Sequence, residues 1–403
     1  MSKIRLAAFA AVVALGLASC GAPDAGGAGS ANTGFTPADV PDKPSEPVTL
    51  NIIDVAGNLQ LTQGMIDEFV EKNPDIIAKV TYSKATSPEL AGKVKAQQQA
   101  GRVQIGLVLT GTDGLSAGIE QDLWVKTDDY ADRIGTPDYL EPAADMQKLA
   151  QGYGQVITYY PSGPLLEYNP EKVSDPPTTP EELLEWAKAN PNRFQYARPA
   201  NSGPGRTFVM GLPYLLGDSD PKDPESWTKT WEYLKELDKY VDYYPTGTTE
   251  TMKNLGSGTV DIVATTTGWD INPRALGTVP ADVKVVPFDD LTWVTDAHYA
   301  VIPKGVSADV MSANIALIKW MLTPQQQAKA YDSGYFYPGP AVKDVTVDMA
   351  PEESQQVIAE FGRPEYDEWI ERFPKETSLP APEQVAMFDK WDREVGAGKY
   401  KTQ

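Results

Sequence analysis

The sequence predicts an α/β protein of two lobes, and three observations carry that prediction. From Val48 onward, short apolar runs alternate with segments of helical spacing, the order that builds a parallel sheet with right-handed crossovers. A second set of such segments begins after Tyr159. The stretch from Val48 to the end, about 355 residues, exceeds the usual size of one hydrophobic core, so two are expected.

In the first set, Val48-Thr49-Leu50-Asn51-Ile52-Ile53 reads as a strand stopped at Gly57. Residues 61–72 carry Leu61, Met65, Ile66, Phe69 and Val70 at helical spacing and end at Asn73-Pro74, where proline blocks continuation. Residues 78–82 give a second strand. Ser87 as cap with Pro88 at the first helical position opens a helix that runs to Gly101, and residues 103–110 give a third strand. In the second set, Thr179-Pro180-Glu181-Glu182 has the form of a capping box. Residues 225–241 follow as an amphipathic helix with Trp227 and Trp231 assigned to the core, and residues 260–265 as a buried strand. Residues 283–287 precede a strand around Ala297-His298-Tyr299-Ala300-Val301-Ile302-Pro303 that returns to the first sheet. A helix through Ile315, Leu317, Ile318 and Met321 leads to a second capping box at Thr323-Pro324-Gln325-Gln326, and residues 341–403 read as peripheral helices.

The amino terminus states an address. Lys3 and Arg5 precede a nearly unbroken small, apolar run from Leu6 to Leu17, and Cys20 is the one cysteine in 403 residues. About 12 apolar residues rise only ~18 Å as a helix, short of a ~30 Å hydrocarbon core, so this is a signal peptide and not a span. Leu17-Ala18-Ser19-Cys20 resembles the lipobox of bacterial lipoproteins, in which the cysteine is acylated (palmitate) and becomes the first mature residue; an ordinary cleaved signal is the alternative. Residues 20–47, rich in Gly, Ala and Pro, cannot bury enough to offset their ordering entropy and read as a flexible tether. A formal charge of −21 makes nucleic acid and anionic lipid headgroups poor partners.

In order along the chain, the residues also resemble a bacterial extracellular solute-binding lipoprotein of an ABC importer, in the branch of polyamine, ferric iron, thiamine and phosphonate binders. The resemblance rests on Phe69-Val70-Glu71-Lys72-Asn73-Pro74, Ala96-Gln97-Gln98-Gln99-Ala100-Gly101-Arg102, Tyr168-Asn169-Pro170 and Gly258-Thr259-Val260-Asp261-Ile262. His298-Tyr299-Ala300-Val301-Ile302-Pro303 and Leu322-Thr323-Pro324-Gln325-Gln326-Gln327-Ala328 complete it. Within the branch, residues 176–201 look most like thiamine-binder-like proteins. The resemblance implies a periplasmic-binding-protein-like (type II) fold: two α/β lobes joined by two hinge crossovers, residues 155–160 outward and 291–300 back, closing on a solute. It divides the chain into a signal peptide (1–19), lipidated Cys20 with a linker (20–47), lobe 1 (48–157), lobe 2 (158–290), the return to lobe 1 (291–345) and C-terminal helices packing on the lobes (346–403). Expected partners are a small solute, the transmembrane permease and a membrane through the anchor, for a monomer without cofactor or metal outside the cytoplasm.

Contacts are expected where strand ends and helix starts face the cleft. The 57–60 turn offers Asn58, and equally reads as an ordinary strand–helix turn; the 110–114 turn offers Thr112, with Asp113 as acceptor or helix cap. Residues 201–207 offer Ser202 and Arg206 as an anion site. No Gly-x-x-x-x-Gly-Lys pattern supports a nucleotide phosphate loop. Residues 265–270 offer Thr267, Trp269 and Asp270 for a cationic or aromatic solute. Tyr160, Trp293 and Tyr299, with Tyr335, sit at expected hinge and cleft positions.

An exported enzyme is disfavoured by subtraction. His298 is the one histidine, expected as a packed neutral imidazole on the returning strand, so any His-dependent acid–base pair or zinc site runs through it alone. Thiamine-degrading enzymes of the resembled fold use a cysteine nucleophile, and here the one cysteine is the anchor. A carboxylate-dependent hydrolase and a lipid-anchored sensor subunit stay open as alternatives to the importer component.

Overall fold

The computed structural model describes residues 35–55 and 57–399; the expected signal peptide, Cys20 and the first part of the expected tether lie outside the described residues. β1 (Val48–Asp54), α1 (Asn58–Lys72), β2 (Ile77–Lys84), α2 (Ser87–Gln99) and β3 (Leu107–Thr110) alternate. β1 pairs in parallel with both neighbours, Ile52 standing beside Tyr82 on one side and Leu107 on the other. β3 is shorter than the expected 103–110, because the Gln97 side-chain oxygen accepts from the Gln104 and Ile105 amides at 2.8 and 3.1 Å. Those donors are satisfied by α2 and not by a ladder. The cap of α2 is also displaced by one residue: Thr86 and Glu89 form the capping box, and the Ser87 hydroxyl is spent on Asp113.

α3 (Thr112–Glu120), α4 (Ala131–Ile134) and α5 (Glu141–Leu149) lead to β4 (Gln155–Gly163), from which the chain passes into a second sheet. There β5 (Leu165–Tyr168), α6 (Pro180–Ala189), β6 (Phe194–Gln195), α7 (Gly203–Leu216), α8 (Thr228–Asp238), α9 (Thr248–Gly256), β7 (Ile262–Thr265), α10 (Ile271–Ala275) and β8 (Lys284–Pro287) follow, with strand order β6-β7-β5-β8. Thr179 caps α6 by accepting from the Glu182 amide at 3.1 Å; the return bond from Glu182 goes to the Thr178 amide instead. α8 is shorter than the expected 225–241 helix, since Asp218 draws in the Lys229 and Thr230 amides (2.9 and 3.0 Å) and fixes its start. Trp227 and Trp231 are buried and stacked, ring centroids 5.8 Å apart, in the core of this sheet.

β9 (Trp293–Val301) returns to the first sheet and lies antiparallel to both β4 and β3. α11 (Ala308–Met321) and α12 (Pro324–Gln327) follow. The expected capping box at Thr323 does not form: its hydroxyl donates to the Trp320 carbonyl at 2.9 Å. β10 (Gly339–Pro340), α13 (Glu352–Phe361), α14 (Glu365–Arg372), β11 (Lys375–Thr377) and α15 (Ala381–Glu394) complete the chain. The first sheet runs β10-β4-β9-β3-β1-β2, with β11 also paired to β9.

The C-terminal segment is therefore not peripheral. β11 extends the sheet, Trp391 of α15 is buried in the second core with Nε1 donating to the Tyr196 hydroxyl at 3.0 Å, and Gln384 meets Ser116 of α3 at 3.3 Å. The apolar positions Met387 and Trp391, one turn apart, give α15 a face that must be covered. Among the described residues, no helix is long and apolar enough to cross a membrane.

Candidate functional site

β4 and β9 place four polar side chains where the two sheets meet. Their antiparallel register sets Tyr160 beside Asp296 and Thr158 beside His298. A cavity of about 260 Å³ opens there. Gly57, Thr86 and Asp113 line it from the first sheet's loops and helix starts; Ser202, Arg206, Thr248 and Trp269 line it from the second; Tyr335 and Phe336 reach in from the segment before β10.

One ion cluster organises the floor. Arg206, in the first turn of α7, has a nearly inaccessible side chain, pairs with Asp296, and lies 3.6 Å from a carboxylate oxygen of Asp113. Asp296 also accepts from the Tyr160 hydroxyl at 2.9 Å and the Thr112 hydroxyl at 3.2 Å. Asp113 accepts from Ser87 through one oxygen, while Oδ1 is buried without a hydrogen-bond partner. Burial in the same region pushes the imidazole of His298 down to about 3, so the ring is neutral, and its Nδ1 has no partner either. Burial, aided by the Asp296 charge, holds the Tyr160 phenol far above its ordinary range, and burial does the same for Tyr335.

Aromatic rings form the opposite wall. Phe336 stacks on Tyr160 (4.8 Å, 22°) and meets His298 edge-on at 4.5 Å; Trp269 meets Tyr335 edge-on at 5.5 Å and is half-buried. Phe336 has φ of 51°, a left-handed conformation that costs a bulky residue free energy. Its amide donates to the Gly268 carbonyl at 3.2 Å, and a Cβ at Gly268 would stand 2.4 Å from the Phe336 ring. Glycine is required there for the two segments to touch.

Of the residues expected from sequence, Tyr160, Ser202, Arg206 and Trp269, together with Asp113 and Tyr335, are brought together in the cavity wall. Ser202 serves α7 as its cap (3.1 Å from the Gly205 amide) and bonds the Thr248 hydroxyl at 2.8 Å. The others are placed elsewhere. Asn58 turns back to the Val55 carbonyl at 2.9 Å, and Thr112 supports Asp296 from behind. Thr267 is buried outside the wall, its hydroxyl without a partner. Trp293 is buried, donating to the Trp369 carbonyl at 3.1 Å, and Tyr299 is in the first core with its hydroxyl on the Met146 carbonyl at 2.9 Å.

Asp270 is the largest displacement. It is fully buried away from the cavity wall, where Arg274, Arg363 and the Tyr366 hydroxyl hold both of its oxygens. The carboxylate that lines the cavity is Asp113. Asp296, Thr248 and Phe336 were not singled out from sequence. For Asp296 a signal existed: one carboxylate in the middle of the otherwise uncharged, buried strand that begins Trp293-Val294-Thr295-Asp296-Ala297 is costly to bury unless paired. The guanidinium expected for an anion is already paired with two carboxylates.

Two sheets, each with its own core and flanking helices, enclosing a polar cavity at their junction, define a two-lobed, periplasmic-binding-protein-like α/β protein. The model of the family described as bacterial extracellular solute-binding protein matches residues 64–357, and the chain belongs to that family. Protein YnjB of Escherichia coli strain K12 is 27% identical over 172 residues, which are 39% of this chain and 43% of YnjB. The match thus spans less than half of that relative. Solved structures share the fold at low identity. A putative spermidine/putrescine ABC transporter from Listeria monocytogenes is 17% identical with a TM-score of 0.58, covering 86% of this chain and 99% of its own. A periplasmic thiamin binding protein is 16% identical with a TM-score of 0.58, covering 88% and 99%. AfuA from Actinobacillus pleuropneumoniae, a periplasmic binding protein solved with fructose-6-phosphate, is 15% identical with a TM-score of 0.59, covering 87% and 99%. Family membership makes this chain an extracytoplasmic solute-binding protein.

Proposed function

We propose that this protein captures a small cationic solute in the cavity between its two sheets. It then delivers the solute, chemically unchanged, to the membrane permease of an ABC importer, working as a monomer tethered by a lipid on Cys20. One observation carries the cationic reading: Asp113 lines the cavity, and its buried Oδ1 has no donor. A buried carboxylate oxygen is expensive to leave unsatisfied, and a cationic N–H donor at that point supplies both charge and hydrogen bond. The rings of Tyr160, Trp269, Tyr335 and Phe336 face the same space, and aromatic faces attract cations. His298, held neutral by burial, adds no opposing charge. The permease partner is supported by the relatives described as ABC transporters, and the thiamine-like subgroup by the sequence resemblance over residues 176–201.

A thermal-shift screen tests this reading with thiamine and its phosphates, polyamines, aminophosphonates, sugars and ferric ion. Saturation at ~100 times the dissociation constant adds ~2.7 kcal/mol to stability. At least one cationic solute of the set is expected to shift the melting temperature and Asp113→Asn to abolish that shift; a response confined to sugars or to inorganic anions refutes it.

A further inference from the structure

Resting on the cationic reading, we infer that Arg206 fixes the charge of the solute at one, so that the site takes a monocation and rejects di- and polyamines. The argument is a charge inventory of the cavity. Its wall contains Asp113, Arg206, His298, Tyr160 and Tyr335 as its titratable side chains, and Asp296 stands directly behind, bonded to Arg206 and Tyr160. The two phenols and the imidazole are neutral, each for reasons of burial. Two carboxylates against one guanidinium leave a single uncompensated negative charge.

Asp54 and Asp332 stand outside the wall, behind Tyr335, whose phenol feels both charges; burial raises Asp332 to about 6, and Asp54 has local partners. Asp54 accepts from the Leu59 amide at 3.1 Å, and the charge of Lys84 faces it. The Asp270 cluster, in which one carboxylate meets Arg274 and Arg363 with Glu167 beside them, lies away from the cavity wall.

The geometry shows which carboxylate is available. Asp296 is saturated by Arg206, Tyr160, Thr112 and the Ala297 amide. Asp113 is held less tightly: Ser87 bonds one oxygen, Arg206 stands at 3.6 Å, and Oδ1 is bare. One ammonium or ring cation completes the site at Asp113. A second positive charge on the same solute would sit against the guanidinium, with no carboxylate left in the wall to meet it. An unpaired charge in a water-poor cavity is strongly disfavoured. Arg206 thereby acts as a built-in occupant of the second cation position.

The test uses a pair of probes with the same four-carbon chain and different charge, n-butylamine and putrescine, titrated against the full chain with tryptophan fluorescence and thermal shift as readouts. The wild type is expected to prefer butylamine by at least about tenfold. Arg206→Gln, which frees the second carboxylate, is expected to reverse the order, whereas Arg206→Lys keeps the charge and the wild-type preference. Should Arg206→Gln not fold, Asp296→Asn moves the balance the other way and is expected to weaken butylamine at least about tenfold. Putrescine bound as tightly as butylamine by the wild type, or a preference unchanged in Arg206→Gln, overturns the inference and leaves the cationic reading intact. No response to either amine, with inorganic phosphate shifting the melt, overturns both.

Discussion

His298 gives the sharpest solution test, because it is the one histidine in the chain. Burial lowers its pKa to about 3 from an ordinary value of 6.5, while the same ring in the unfolded chain keeps the ordinary value. The folded protein therefore binds fewer protons than the unfolded chain throughout that window. The stability that neutral burial preserves is complete above about pH 6.5 and is lost progressively as pH falls toward about 3. Between about pH 7.5 and about pH 5, protonation of the unfolded imidazole alone removes about 2 kcal/mol. Asp332, raised to about 6 by burial, and Glu167, raised by burial, oppose this trend in the total, since their acids are protonated sooner in the fold. The comparison must therefore be between wild type and His298→Asn. Urea unfolding at the two pH values is expected to show the wild type losing about 2 kcal/mol more than the variant. In parallel, the single imidazole resonance in the proton spectrum is expected not to titrate between about pH 5 and about pH 8. A resonance that titrates near pH 6.5, or equal pH dependence in both proteins, refutes the claim that this ring is buried neutral beside Arg206 and Asp113.

Three further outcomes follow from the geometry. Trp269→Ala removes a half-buried ring facing the cavity and is expected to weaken binding of a cationic solute by about 1 kcal/mol, read by calorimetric titration; unchanged affinity in a folded variant removes the ring from the site. Asp270→Asn leaves Arg274 and Arg363 without their counter-charge inside the protein and is expected to cost about 3–5 kcal/mol in urea unfolding, with solute affinity of the folded fraction preserved because the cluster lies outside the cavity wall. Gly57→Ala imposes a side chain at φ of 78°, with its Cβ 2.5 Å from the Tyr335 hydroxyl. It is expected to lose roughly 1–2 kcal/mol from backbone strain alone and also to weaken solute binding by displacing Tyr335.

Much of the architecture was legible because its signals are local. Strand–helix alternation from Val48 to Thr110 and the proline after Asn73 mark elements whose ends depend on near neighbours. Errors arose where distant groups intervene: Asp218 fixes the start of α8, the Trp320 carbonyl takes the Thr323 hydroxyl, and Trp391 pulls α15 into the second core. The site follows the same division. Turns that start helices were found as turns, so Ser202, Arg206 and Trp269 reach the cavity. Which carboxylate serves the cavity was not legible. Asp270 stands next to Trp269 in sequence, but Arg363, on a segment 93 residues away, claims it. Asp113 in the cavity wall and Asp296 behind it are joined only because α7 brings Arg206 between them.

That three-way arrangement also couples binding to the strands that join the sheets. Arg206 stands on a helix of the second sheet, Asp113 on a helix of the first, and Asp296 on β9, which hydrogen-bonds β4 along most of its length. A cation that occupies Asp113 competes with Arg206 for that carboxylate and leaves the guanidinium to Asp296 alone. On the cationic reading the rearrangement falls at Tyr160 and Asp296, opposite one another where the chain passes between sheets, because Tyr160 and Arg206 share the Asp296 carboxylate. Asp296→Asn and Tyr160→Phe consequently separate two contributions. The first changes the charge that holds Arg206, and the second removes one neutral hydrogen bond of about 1 kcal/mol while leaving the charge in place. If solute occupancy is sensed through Asp296, amide exchange along β4 and β9 is expected to respond to solute in the wild type and in Tyr160→Phe, and not in Asp296→Asn. A response in all three proteins would place the coupling in the aromatic wall instead.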